Sequence, residues 1–454
     1  VLFVVIGFIW NTALAQPGRW QQRVEYVMDI DMDVETNQFA GSQRLKYFNN
    51  SPDTLFNVYY HLYFNAFQPG SMMDVRSRTI EDPDKRVGDR IFHLEENEQG
   101  WHKVISLKQD EEPLKYEVSG TVLEVQLAHP ILPLQTAFFE MAFESQVPLQ
   151  VRRSGRDSKE GIRYSMAQWF PKMAEYDRSG WHADPYVARE FYSPWGKYNV
   201  NITIDKKYVV AATGILQNPN EIGHGYDKPN SKGKSGKDGK LKWQFEANDV
   251  HDFVWAADPD YVHDVVKSKT GPTDHYFYQK DTLKQNWKDL PKQVSKAFTF
   301  LNGKFGDYPY SDYSIIQGGD GGMEYPMATL ITGHRKFSSL VGVSVHEVCH
   351  NWFPMLLATN EGELPWIDEG FASFAAKLTM SHLLKKEAEK DDFVFESNYK
   401  SYFDLVKSGK DEPLATQADH FATNKGYVSS SYSKGAVTFN QLGYVIGDEA
   451  LFSG

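Results

Sequence analysis

The sequence predicts a multidomain α+β protein, with an all-β part first and a mainly helical part after it. Two rhythms along the 454 residues carry that expectation. Val24, Tyr26, Met28, Ile30, Met32 and Val34 alternate with Arg23, Glu25, Asp29, Asp31 and Asp33, the period of a strand with one dry and one wet face. Further on, Trp287, Leu290, Val294, Phe298 and Leu301 recur at helical spacing. A hydrophobic content of 41% is enough to fill a core in each part.

Taken in order, the chain opens with the apolar run VLFVVIGFIW, too short to span a bilayer, and then Ala13-Leu14-Ala15. A hydrophobic core followed by a small-x-small site reads as a partial signal peptide over residues 1–15, cut between Ala15 and Gln16. Export to the periplasm or the extracellular space follows as an expectation. The run lacks an initiating Met and a basic start, so the chain is expected to be a piece of a longer protein.

Residues 16–265 are expected to form the all-β domain. Tyr198, Val200, Ile202 and Ile204 repeat the two-residue period, and the runs 55–64 and 208–213 are aromatic and β-branched. Asn-Asn-Ser-Pro, Gln-Pro-Gly and Asn-Pro-Asn supply turns between them. Residues 219–240, rich in Gly, Lys, Asn and Ser, read as a mobile hairpin tip. Residues 266–454 form the second domain, in which 311–317 is a strand leading into Gly318-Gly319.

A formal charge of −12 argues against a nucleic-acid partner, since such binding needs clustered Lys and Arg. Cys349 is the only cysteine and cannot pair within the chain. It reads as a small buried apolar residue.

Chemistry concentrates in Val345-His346-Glu347-Val348-Cys349-His350 and in Glu369, which follows His350 after eighteen residues. Positions i and i+4 of a helix share a face, so His346 and His350 can bind one metal ion while Glu347 projects beside it. The apolar run 340–357 suits a buried helix. A second helix starting near Trp366 delivers Glu369. Three protein ligands leave an open fourth position on one zinc ion (Zn2+), which is the catalytic arrangement. Upstream, Gly321 and Gly322 in an edge strand would let a peptide pair with the backbone, and Glu324 can bind an α-ammonium group.

Three blocks together resemble the aminopeptidase N family of zinc metallopeptidases, which includes the leukotriene hydrolases. They are Gly321-Gly322-Met323-Glu324-Tyr325-Pro326, His346 to His350 with Glu369, and Tyr432-Ser433-Lys434-Gly435. The resemblance implies an all-β saddle or sandwich domain, then a thermolysin-like catalytic domain. It also implies that a C-terminal helical domain is absent from this fragment, leaving apolar surface exposed on the catalytic domain.

For function, the resemblance implies a bacterial-type exported aminopeptidase acting on peptides with a free N-terminus, with no nucleic acid and no membrane span. Glu347 would be the general base, Tyr432 the oxyanion donor, and Gly321, Gly322, Met323 and Glu324 the peptide anchor. Tyr427 lies five residues before Tyr432, as in the family. Two positions depart from the pattern: Tyr325 replaces the usual Asn, and Ser433 the usual Glu. A second amine-holding Gln or Glu, sought by counting back from Phe170-Pro171, lands on Ile162, which leaves Glu160 or Gln168 to take the role. Two other functions share part of this pattern: a thermolysin-type endopeptidase, which needs no amine anchor, and a non-catalytic scaffold.

Overall fold

The computed structural model describes residues 20–226, 239–280, 283–384 and 394–453. The expected signal peptide lies outside these residues. So does most of the expected hairpin tip, of which the described part holds a short helix, Pro219–Ile222.

Alternation of buried and exposed residues builds the first part. The strand Arg23–Asp33 buries Val24, Tyr26, Met28, Ile30 and Met32 and turns its acids outward. It lies inside an eight-stranded sheet, antiparallel to Gln38–Phe48 on one side and parallel to Trp195–Asp205 on the other. In that parallel pair Tyr26 lies opposite Tyr198 and Met28 opposite Val200, so both dry faces point the same way. The sheet packs on smaller ones that include Leu55–His61, and Val58, Tyr60, Leu123 and Val125 join its core. Each such fully buried aliphatic or aromatic side chain contributes roughly 1.5–3 kcal/mol.

A five-stranded mixed sheet begins the second part, in the spatial order Tyr261–Lys267, Thr273–Gln279, Asp312–Gln317, Ala328–Ile331, Gly322–Tyr325. Its first strand starts at Tyr261, whereas Trp255–Asp258 still pairs with the β-domain strand Val209–Ala212. The change of sheet therefore falls between Asp258 and Tyr261, and the division expected at 265 lies inside a strand. Trp255–Asp258 is buried at every position and Tyr261–Lys267 does not alternate strictly, so periodicity gives no sign of where the new sheet begins. The helix Lys284–Phe305 is the crossover between two parallel strands of the sheet and buries the predicted stripe.

The helix carrying the His pair runs Phe337–Cys349 and buries Leu340, Val341, Ser344, Val345 and Val348. Regular helix does not reach 357 as expected. His350 is still right-handed, but Phe353 is extended (φ −136°, ψ 112°) because Pro354 follows and disfavours helical backbone before it. Cys349 is fully buried, and burial pushes its thiol up to about 12. Pro365–Leu383 is the second site helix, opened by Pro at its first turn. It packs closely on Gly435–Ile446: a Cβ on Gly370 would lie 2.7 Å from the Gly435 Cα. That approach explains the glycine ending the Tyr432-Ser433-Lys434-Gly435 block. Leu356, Leu357, Leu442, Tyr444, Val445 and Ile446 are exposed on this part.

Candidate active site

Sequence-local groups meet first. His346 Nε2 lies 3.2 Å from Glu369 Oε2, His350 Nε2 lies 3.5 Å from the same oxygen, and the two Nε2 atoms are 3.4 Å apart. Tetrahedral ligands at zinc bond lengths of about 2.0–2.1 Å sit roughly 3.3–3.4 Å from one another, so the three atoms fit one zinc ion. His350 Nδ1 is 2.6 Å from Asp368 Oδ1, with both side chains fully buried. That approach sets a carboxylate against Nδ1 and leaves Nε2 facing His346 and Glu369. Two imidazole nitrogens and a carboxylate oxygen so placed can hold one cation between them.

Glu347 is buried, and its Oε2 has no hydrogen-bond partner among the described residues. It lies against the edge strand Gly322–Tyr325, where a Cβ on Gly322 would collide with its Oε1. Burial and then the neighbouring Glu324 raise its carboxyl well above the usual range. Such a group holds a proton readily. Glu369 moves the other way: burial pushes it up, but hydrogen bonds from His346 and His350 bring it below the usual carboxylate range. The Tyr432 hydroxyl donates to Glu369 Oε1, and its ring stacks on His346 at 5.8 Å.

Glu324 also comes to this place, from the outermost strand of its sheet. Its Oε1 is buried without a hydrogen-bond partner among the described residues, and burial pushes the carboxyl up to about 7. Gly321 and Gly322 lead into the strand, and Met323 is buried within it, its carbonyl accepting from Thr329 Oγ1 at 2.9 Å.

One residue of the site was not anticipated. Oxygen atoms of Glu190, Glu324 and Glu369 lie within 4.8 Å of one another. Arg153 Nη2 donates to both oxygens of Glu190, at 3.0 and 2.8 Å, and the Tyr427 hydroxyl donates to its Oε1 at 3.0 Å. Glu190 thus stands where a second amine anchor was sought. Gln168 is instead engaged inside the β part: its Nε2 donates to Asp252, and Lys172 Nζ donates to its Oε1 at 3.4 Å. Glu160 accepts from the backbone N–H groups of Gly333 and His334 at 2.8 and 3.0 Å and so braces a turn. No motif marks Glu190 in the sequence.

The chain's comparisons with known proteins agree with this geometry. Residues 294–454 match the profile of the peptidase family M1 domain. Residues 294–454 thus carry an M1-family peptidase domain, the family of aminopeptidase N. Human aminopeptidase B is 29% identical over 129 residues, covering 26% of this chain and 19% of that protein. The rat aminopeptidase B is 24% identical over 207 residues, covering 42% of this chain and 31% of that protein. The chain thus spans about a fifth to a third of the curated relatives it matches.

Among solved structures, an M1 zinc metallopeptidase from Deinococcus radiodurans superposes with a TM-score of 0.62 at 14% identity. The superposition covers 96% of this chain and 86% of that one. A mutant of the Deinococcus enzyme bound to a Tyr-Ser-Ala substrate gives 0.61 at 14% identity over the same shares of the two chains. At that identity the likeness is one of fold. The M1 domain of this chain places the His pair, Glu369, Glu347 and Glu324 at one point, with Glu190 reaching in from the β part. Among the described residues, no helix is long and apolar enough to cross a membrane.

Proposed function

We propose that this chain is a zinc-dependent aminopeptidase that removes N-terminal residues from peptides. The observation that carries the reading is the meeting of Glu190, Glu324 and Glu369 beside the His pair. Glu324 is buried with its Oε1 unpartnered among the described residues and Glu190 stands beside it, an arrangement that calls for a cationic ligand, and the α-ammonium of a peptide is one. An endopeptidase has no use for these two carboxylates.

His346, His350 and Glu369 would hold one zinc ion, which supplies Lewis-acid polarisation of the scissile carbonyl and of the attacking water. Glu347 accepts the proton of that water and returns it to the leaving amine. Tyr432 donates its hydroxyl to the carbonyl oxygen as charge develops there, a step that requires it to leave Glu369. The edge strand Gly322–Tyr325 pairs with the substrate backbone, and Glu324 and Glu190 fix the amine, so that the first peptide bond is the one presented. Export to the periplasm or the extracellular space rests on the leader-like start of the sequence.

The test compares a tripeptide with its N-acetylated twin, with and without a chelator. Cleavage of the free peptide alone, abolished by chelation, is the expected result. Equal cleavage of both would make this an endopeptidase, and cleavage of neither would make it a scaffold.

A further inference from the structure

The two amine anchors arrive from distant parts of the chain, and Arg153 touches the supports of both. Its guanidinium holds both oxygens of Glu190, which belongs to the β part. Its backbone N–H donates to Asp320 Oδ2 at 2.9 Å, and Asp320 directly precedes Gly321 and the strand bearing Glu324. Arg152 Nη1 donates to the same Asp320 oxygen, and Arg86 Nη1 lies 3.4 Å from the other. Burial raises the Asp320 carboxyl, but Arg152 and then Arg86 outweigh it and bring the group down to about 2. Arg153 adopts φ +55°, a left-handed conformation rare for a residue with a side chain. Its side chain and that of Glu190 are 6% and 2% exposed, so little water screens the pair.

We propose that Arg153 is the positioning residue that assembles the α-ammonium pocket across the two parts of the chain and sets its charge. This deepens the aminopeptidase reading and rests on it. Arg153 neutralises Glu190 and the metal ligands share Glu369, so Glu324 is the carboxylate left to meet the single positive charge of a peptide N-terminus. The clasp on Asp320 fixes how far the Glu324 strand stands from Glu190. Without Arg153, two like charges face one ammonium and the spacing between the anchors is lost. Selectivity for a free amine is therefore supplied jointly by the β part and the catalytic part.

Three variants test this: Arg153→Met, Arg153→Lys and Asp320→Asn. Each is assayed for kcat and KM on a peptide and its N-acetylated twin, beside zinc content and thermal midpoint. Arg153→Met is expected to raise KM for the free peptide about 10-fold to 100-fold with kcat nearly kept, and to leave the acetylated peptide unaffected. Arg153→Lys should regain part of the loss, and Asp320→Asn should lower the preference by a smaller factor. A folded, zinc-loaded Arg153→Met protein with undiminished preference overturns the proposal, as does a proportional loss on both peptides. If Arg153→Met does not fold, unchanged preference in both Arg153→Lys and Asp320→Asn overturns it. A wild-type protein that cleaves both peptides equally removes the aminopeptidase reading, and the proposal with it.

Discussion

His350 and Asp368 form a buried pair, Nδ1 to Oδ1 at 2.6 Å, neither side chain reaching solvent. Helix geometry makes the pair: His350 closes one helix, and Asp368 precedes Glu369 in the first turn of the next. One helix start therefore supplies both a proposed metal ligand, Glu369, and the carboxylate set against another, His350.

Asp368→Asn keeps an acceptor for Nδ1–H but removes its charge. Zinc affinity is expected to fall by about 10-fold to 100-fold, measured by competition with a chelator of known strength. Unaltered affinity would show that His350 needs no help to face the metal.

Glu347→Gln preserves shape while removing the base. It should retain zinc at full stoichiometry and lose nearly all turnover. Tyr432→Phe should lower kcat by roughly 10²–10³ with a smaller change in KM, as for loss of one oxyanion donor. Normal kcat in the Tyr432 variant would reduce that side chain to a brace for Glu369.

Glu190 and Glu324 should act as a pair. Glu190→Gln, like Glu324→Ala, is expected to raise KM for free peptides and narrow their advantage over acetylated ones. Steady-state kinetics on both substrates checks this. A Glu190 variant with wild-type preference would leave Glu324 as the sole anchor.

Asp274 is fully buried on the strand Thr273–Gln279, and burial pushes its carboxyl up to about 8, with Tyr276 opposing and Asp312 adding. Between the ordinary carboxylate range and about pH 8, the folded state keeps a proton that the unfolded state has released. Stability therefore falls as pH rises through that window, by at most about 1.4 kcal/mol per pH unit, and levels off above it. Asp274→Asn should flatten this slope in denaturant melts taken at a series of pH values. An equally steep slope in the variant would assign the effect to another group.

Local relationships were the legible ones. His346 and His350 sit one turn apart, and Glu369 lies at the start of the next helix, so spacing along the sequence is nearly spacing in the fold. The strand Arg23–Asp33 could be read because its own side chains alternate, whichever strands it pairs with. Glu190 and Arg153 had no such signal, since what unites them is a contact between loops of the β part. Arg153, Asp157, Gln168 and Ala188 all have positive φ, and each breaks the periodicity on which reading such segments depends. Counting back from Phe170-Pro171 fails in that stretch, because an irregular chain does not preserve the distance between a residue number and a place. The helix read in the apolar run 340–357, where Gly and Pro are absent between Ser344 and Phe353, ends at Cys349, ahead of Pro354.

The parallel pairing of Arg23–Asp33 with Trp195–Asp205 joins an early strand to one made much later. As the polypeptide emerges, the first strand can take Gln38–Phe48 at once, but its other edge stays open until the later strand arrives. Closing so long a loop is entropically slow, and such non-local contacts delay folding. Arg153 and Glu190 lie within that loop, so the corner where Glu190 meets Glu324 is carried by a segment whose two ends the parallel pairing ties together.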